Sequence, residues 1–289
     1  YFSAMQSILN PGDEVLIPDP TWATHVNLAM MLRAEVTRVP APVEDGFIPS
    51  FDSWARAVSP KTRAIVLNYP SNPTGIVPSR EYLQKLQDFA KEHDLWVITD
   101  EVYDSLYFEE KPTSLAAIEG AKERTLIIQS LSKTYAMTGW RVGFLAAPKS
   151  VIENAVKAGQ NSITCVAPFI QKAAAFALTD PGVQQETAKM REAYARRRAL
   201  VMKLSAELES ERVRVTPPQG AFYCFLDLRA LKMNDVEMCE RILEEKSVGL
   251  VPGSAFGEQG EGFIRMSIAA SDEEVEMGFR KIVEWAEEQ

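Results

Sequence analysis

The sequence predicts an α/β protein in which a mostly parallel sheet with flanking helices is followed by a smaller α+β domain. Three observations carry this reading. Apolar runs of about four to eight residues recur through the first half of the chain, the length of strands buried on both faces. Helical patterns lie between them, and strands that alternate with helices imply crossover units and parallel pairing. Beyond a long helical segment at 184–210 the pattern changes to shorter strands interleaved with two helices.

The chain opens on YFSAMQSILNPGD, where Phe2, Met5, Ile8 and Leu9 recur at helical spacing and Asn10-Pro11-Gly12 gives a stop signal. No Ser, Thr, Asp or Asn cap precedes Tyr1. The segment reads as a helix with an end but no beginning, and the chain as one lacking its N-terminal part. Next come the strand EVLIP at 14–18, a helix near 25–32, and the strands EVTRVP at 35–40 and RAIVLNYP at 63–70. The helix SREYLQKLQDFAKEH at 79–93 separates these from LWVITD at 95–100, TLIIQS at 125–130 and VGFLAAP at 142–148. In the long helix Met190, Tyr194, Val201, Leu204 and Leu208 share one face, and Arg196, Arg197 and Arg198 read as a solvated surface. Then follow AFYCFLDL at 221–228, the helix DVEMCERILEEK at 235–246, VGLVPG at 248–253, FIRMSIA at 263–269 and a last helix from Asp272. The expected division is a large domain at 1–190 and a small one at 191–289, joined rigidly by the long helix.

With 289 residues, 46% hydrophobic and 25% charged, the chain is long enough for a substantial core. A net charge of -9 argues against a nucleic-acid partner and favours small molecules. Cys165, Cys224 and Cys239 lie far apart with no C-x-x-C pair, so neither a disulfide framework nor a metal site is expected. No apolar run is long enough to span a membrane and no signal peptide is evident, so the chain reads as cytoplasmic.

The strand ends carry the reactive side chains: Asp19 and Trp22 after EVLIP, Asn72 after RAIVLNYP, Asp100 and Tyr103 after LWVIT, Ser130 and Lys133 after TLIIQ. In an open α/β sheet those ends line one crevice, where ligands bind. With Arg141 nearby, the crevice would hold an amine, a carboxylate, a phenol, an amide, an indole, hydroxyls and a guanidinium. Such a set suits a flat, phosphorylated, aldehyde-bearing aromatic: pyridoxal phosphate. A lysine desolvated beside cations has a lowered pKa and can join a carbonyl as a Schiff base, the role open to Lys133. A carboxylate against the pyridine nitrogen keeps the ring protonated and electron-withdrawing, which suits Asp100. Tyr103 and Asn72 would donate hydrogen bonds to the ring's phenolate oxygen and Trp22 would stack on its face. Arg141, Ser130 and Ser132 would hold the phosphate. Singly each signal is weak, since a lone lysine after a strand is ordinarily solvated and a lone Asp there is a turn or cap residue.

The motifs PDPTW at 18–22, SNPTG at 71–75, DEVY at 100–103, SLSK at 130–133, GWRVG at 139–143, VPGSAFG at 251–257 and FIRMSIA at 263–269 stand in an order that resembles the fold-type I pyridoxal phosphate enzymes. Within them the chain resembles the class I/II aminotransferases, over almost its whole length. The resemblance implies that Lys133 carries the cofactor, Asp100 meets the pyridinium, Arg141 the phosphate and Arg265 the substrate α-carboxylate, with Asn72 also near substrate. It implies catalytic roles for Lys133, Asp100 and Tyr103, a homodimer with its site near the subunit interface, and an N-terminal segment ahead of Tyr1 that completes the phosphate loop and selects substrate side chains. Alternation in FIRMSIA independently puts Arg265 on the face opposite Ile264, Met266 and Ile268. His25 has two readings, a contact of Asp100 or a structural histidine, and Phe222 is either core or pocket wall.

The implied reaction moves an amino group from an L-amino acid to a 2-oxo acid, with 2-oxoglutarate as the expected acceptor. Alternatives on the same fold are a carbon-sulfur lyase, a ring-closing synthase, or a non-catalytic sensor module that binds the cofactor and reports ligand. A nicotinamide enzyme is disfavoured because no G-x-G-x-x-G follows a strand.

Overall fold

The computed structural model describes the whole chain, residues 1–289. Its first half runs α1 (Phe2–Gln6), β1 (Glu14–Asp19), α2 (Ala23–Met31), β2 (Glu35–Pro40), α3 (Phe51–Ala57), β3 (Thr62–Asn68), α4 (Arg80–Glu92), β4 (Trp96–Asp100), β5 (Thr125–Ser130), α5 (Leu131–Thr134) and β6 (Gly143–Ala146). Helices α6 (Lys149–Ser162), α7 (Pro168–Thr179) and α8 (Pro181–Leu208) lead to β7 (Arg214–Thr216), β8 (Tyr223–Asp227), α9 (Asp235–Lys246), β9 (Val251–Pro252), β10 (Phe263–Ser267) and α10 (Asp272–Glu287).

The first sheet has the order β2-β1-β3-β4-β5-β6, parallel except for β6, which returns antiparallel to β5. Successive side chains of a strand point to opposite faces, and here both faces are covered. Val15, Ile17, Ala64, Val66, Ile98 and Leu126 pack on one side with Met5, Ala29 and Val151 from α1, α2 and α6. Leu16, Ile65, Leu67 and Val97 pack on the other with Trp54 of α3 and Leu83, Leu86 and Ala90 of α4. Burial on both faces is why these strands read as unbroken apolar runs. Ser79 caps α4 by accepting from the Tyr82 N–H.

The second sheet, β7-β8-β10-β9, is antiparallel where its strands pair. One face, with Cys224, Leu226, Ile264 and Met266, packs against Val201, Met238, Phe279 and Trp285 of α8, α9 and α10. On the opposite face Phe225 and Phe263 meet Phe47 and Ile76 of the first half. Ser271 and Glu274 form a reciprocal capping box that starts α10.

Three expectations need correction. The first helix is shorter than its apolar spacing implies: α1 stops at Gln6, and Ile8 and Leu9 are buried from the loop that follows. Arg197 and Arg198 are only partly solvated. Arg197 Nε donates to Asp272 at 2.8 Å, and Arg198 donates to Glu109 at 2.9 Å and to the Pro218 carbonyl at 3.2 Å, so two of the three arginines tie α8 to its neighbours. Asp19, expected at the crevice, turns to accept the N–H groups of Glu258 and Gln259. Helices α3, α6 and α7 are elements the sequence reading did not anticipate.

A seam at residues 218–221 joins the two sheets. The Gly75 carbonyl accepts from Gln219 and Gly220, the Leu106 carbonyl from Ala221, and the Gln219 carbonyl from Phe108. A Cβ on Gly220 would lie 2.7 Å from the Leu106 carbonyl oxygen and 2.7 Å from Pro70 Cγ. Gly220→Ala is therefore expected to cost about 1–3 kcal/mol or more, by overpacking against backbone that cannot retreat without losing hydrogen bonds. Gly249→Ala, where a Cβ meets nothing within 4 Å, should be near neutral. Denaturant midpoints of the two variants check this, and equal midpoints would show that the seam yields.

Candidate active site

In the order β2-β1-β3 the chain reverses its direction of travel across the sheet, which opens a crevice at the carboxyl ends of the strands. Register sets Asn68 of β3 beside Asp100 of β4, and Ser130 of β5 beside Gly143 of β6. Above these ends lies a cavity of about 830 Å³. Trp22, Asn72, Asp100, Tyr103, Ser130, Ser132, Lys133, Arg141 and Arg265 all line it.

Asp100 is 4% exposed and held from three sides. Its Oδ2 lies 3.2 Å from His25 Nε2, its Oδ1 accepts from the Val102 N–H at 3.3 Å, and its carbonyl accepts from Asn68 at 3.1 Å. His25, fully buried, places Nδ1 3.1 Å from the Thr21 hydroxyl. The imidazole thus bridges the Asp100 carboxylate and the Thr21 hydroxyl. Of the two readings of His25, the contact with Asp100 is the one found. The Trp22 ring meets the edge of the histidine at 5.3 Å between centroids.

Lys133 rises from the short helix α5 just beyond β5, with Nζ 5.9 Å from the Tyr103 ring centre and 5.6 Å from that of Phe222. Desolvation lowers its pKa, and the Arg265 and Arg141 guanidiniums lower it further, against an opposing pull from Asp100. Phe222 stacks on Tyr194 at 5.5 Å, which makes it packing behind the amine. The Tyr103 hydroxyl is 3.1 Å from that of Tyr223, and burial drives the Tyr103 pKa far upward, so the phenol stays protonated.

At the other end Ser130 Oγ accepts from the Ser132 N–H at 3.1 Å and bonds the Ser132 hydroxyl at 2.9 Å. Arg141, in the left-handed region at φ 52, donates to the Thr138 carbonyl and otherwise faces the cavity. Arg265 enters from β10. One guanidinium nitrogen donates to Asn72 Oδ1 at 2.7 Å, and the rings of Tyr223 and Phe256 lie 4.3 and 4.9 Å from its central carbon. Its Nε is buried without a partner, and desolvation lowers its pKa. A desolvated cation beside aromatic faces, with no carboxylate as its partner, is built to receive one.

Asn68 and Tyr223 are among the cavity residues the sequence reading did not name. Asn68 closes the run RAIVLN, and a polar residue ending an apolar strand was the available signal. Tyr223 shares a sheet face with Arg265 only because β8 and β10 pair Ser267 with Tyr223, a register no local pattern discloses.

A half-buried amine, a buried carboxylate held by histidine, and an unpaired guanidinium from a second sheet define a pyridoxal phosphate enzyme acting on amino acids, and this donor set fits the cofactor's aldehyde, ring nitrogen and phosphate. The family of class I and II aminotransferases matches residues 2–282. Aromatic-amino-acid aminotransferase 2 of Thermococcus litoralis is 41% identical over 94% of this chain and 69% of its own length, and aspartate aminotransferase of Pyrococcus abyssi 40% over 96% and 70%. Among solved structures, the aromatic aminotransferase of Pyrococcus horikoshii superposes with a TM-score of 0.95 at 38% identity, covering 100% of this chain and 77% of that one. The aspartate aminotransferase of Thermotoga maritima gives 0.92 at 34% identity, covering 99% and 73%. The chain belongs to the class I and II aminotransferases and is a pyridoxal phosphate-dependent enzyme.

The lowered pKa of Lys133 has a stability consequence. Between its folded value and the ordinary 10.5 the unfolded chain binds more protons, so stability rises with pH through that window. Below it the charged amine opposes folding. Lys133→Met is expected to raise the Tm of the cofactor-free protein at neutral pH, by an amount that shrinks as the solution passes above the folded pKa. Thermal melts across that range test it, and a lower Tm for the variant at neutral pH would contradict the charge penalty.

Proposed function

We propose that the cavity transfers an amino group from an L-amino acid to a 2-oxo acid, with 2-oxoglutarate as acceptor. The observation that carries the reading is the pairing of two groups in one cavity: an amine with a lowered pKa, Lys133, and a buried guanidinium with no acidic partner, Arg265. Together they suit a ligand that presents both an α-carbon and a carboxylate. When bound, pyridoxal phosphate supplies an aldehyde that condenses with amines and a protonated ring that draws electrons from the α-carbon.

The residues take the following parts. Asp100, held in place by His25 and the Val102 N–H, would face the ring nitrogen. Tyr103 and Asn72 offer a phenol and an amide to the ring oxygen, and Trp22 covers one face. Ser130, Ser132 and Arg141 would bind the phosphate. Arg265, aimed by Asn72, would bind the α-carboxylate and so set the α-proton within reach of Lys133. Nζ of Lys133, its pKa lowered chiefly by desolvation, would accept that proton and return it one carbon away.

The names of its relatives point to aromatic and acidic amino acids as the donors to try first. We assign the finer features likewise as proposals: a cytoplasmic homodimer, and a cofactor domain that ends within α8 near residue 190. No helix is long and apolar enough to cross a membrane.

A panel of phenylalanine, tyrosine, aspartate and glutamate against 2-oxoglutarate or oxaloacetate tests the function. Oxo acid should form in step with loss of the acceptor. Lys133→Ala should lower the rate by at least about a thousandfold. Pyruvate and ammonia released from a cysteine-like substrate without any acceptor would establish the lyase alternative instead.

A further inference from the structure

The loop that follows β9 is bound to the end of the first sheet by a cluster whose own residues, Asp19, Thr21, Arg38 and Phe256, do not line the cavity. Asp19, 3% exposed at the end of β1, accepts the N–H groups of Glu258 at 3.1 Å and Gln259 at 3.2 Å. Arg38 of β2 lies 3.5 Å from the same carboxylate and donates to the Phe256 carbonyl at 2.9 Å. The Thr21 N–H donates to that carbonyl too, also at 2.9 Å. Gly257 at φ 139 sits so close that a Cβ would fall 2.0 Å from Asp19 Oδ1, so only glycine lets the carboxylate reach the amides beyond it.

What this cluster fixes is Phe256. Its ring is 4% exposed, meets Phe225 edge-on at 6.3 Å, and lies 4.9 Å from the centre of the Arg265 guanidinium. Arg265 has a single side-chain hydrogen bond, to Asn72, and no ion pair. Its plane is therefore set by Asn72 and by the two rings on it, Tyr223 and Phe256. Tyr223 belongs to the sheet of Arg265 itself, whereas Phe256 is held to the first sheet by Asp19, Arg38 and Thr21.

We infer that Asp19 and Arg38 are positioning residues for substrate: they clamp the loop at residues 256–259 and so hold Phe256 where it orients Arg265 for an α-carboxylate. The inference rests on the proposed role of Arg265. An aromatic ring positions a guanidinium through its negative face, and a planar fork gains most from a fixed orientation because both of its donors must meet one carboxylate. Burial raises the Asp19 pKa, while Arg38 and the amides of Gln259 and Glu258 pull against that rise.

The experiment uses the pyridoxal phosphate-loaded enzyme with Asp19→Asn, Arg38→Met and Arg265→Met, each measured with the best donor of the panel. Equilibrium binding of succinate, which carries carboxylates, and of phenethylamine, which carries none, is measured by calorimetry. The expected result for Asp19→Asn and Arg38→Met is a KM and a succinate Kd raised about five- to tenfold, with kcat within about twofold, unchanged cofactor content and unchanged phenethylamine affinity. A cluster that serves stability alone would lower Tm and leave that selectivity where it was. Arg38 is partly exposed, so its variant remains informative where Asp19→Asn does not fold. Unchanged KM and succinate Kd in a folded variant, or equal weakening of succinate and phenethylamine, would overturn the inference. Arg265→Met separates the two levels: if it raises the succinate Kd while the clamp variants do not, the clamp fails and Arg265 stands, and if it leaves succinate unaffected, the role of Arg265 falls first.

Discussion

A carboxylate buried at the centre of a sheet is costly unless hydrogen-bonded donors surround it, and Asp100 is where this structure meets that cost. Its strand, β4, is flanked by β3 and β5, and each neighbour ends beside it with a group the cavity uses, Asn68 on one side and Ser130 on the other. His25 is fully buried for the sake of that carboxylate, and Thr21 is turned to meet the far side of the imidazole. Thr21, His25 and Asp100, from two separate segments, thus form a chain in series that ends on one carboxylate oxygen. Such a network holds its members in place only when all of them are satisfied.

The two sheets divide the labour. The parallel one supplies the amine, the carboxylate and the hydroxyls, all at strand ends fixed by backbone ladders. The antiparallel one supplies a guanidinium and a phenol from the face its helices leave uncovered. Neither half contains the site by itself, and the apolar contact of Phe47 and Ile76 with Phe225 and Phe263 sets the distance between them.

Much of this was legible because the information is local. Strands buried on both faces leave unbroken apolar runs, and the residues after such runs must come to one edge of a parallel sheet, so Trp22, Asn72, Asp100, Tyr103, Ser130 and Lys133 could be gathered before any coordinates. Alternation within a single strand took Arg265 off the core face, and only the family resemblance pointed it to the crevice. What stayed hidden depends on pairing between distant segments. Tyr223 needs the register of β8 against β10, the turn of Asp19 away from the crevice needs the loop at 256–259, and the pairing of Arg197 and Arg198 needs the partners Asp272 and Glu109. A basic triplet on a helix looks solvated until acids from elsewhere arrive beside it.

The seam at residues 218–221 also bears on how the chain is made. The carbonyls of Gly75 and Leu106 and the amide of Phe108 find their partners only in a segment more than a hundred residues further along. At ribosomal rates of about 5–20 residues per second, the first sheet emerges on the order of ten seconds before the strand that completes its loops. During that interval the crevice has a floor and no far wall, and Ile76 has only Phe47 of its core cluster already made, since Phe225, Phe256 and Phe263 come later. The wall of the cavity that carries Arg265 therefore arrives late in synthesis, however early the strand ends that carry Asp100 and Lys133 take shape.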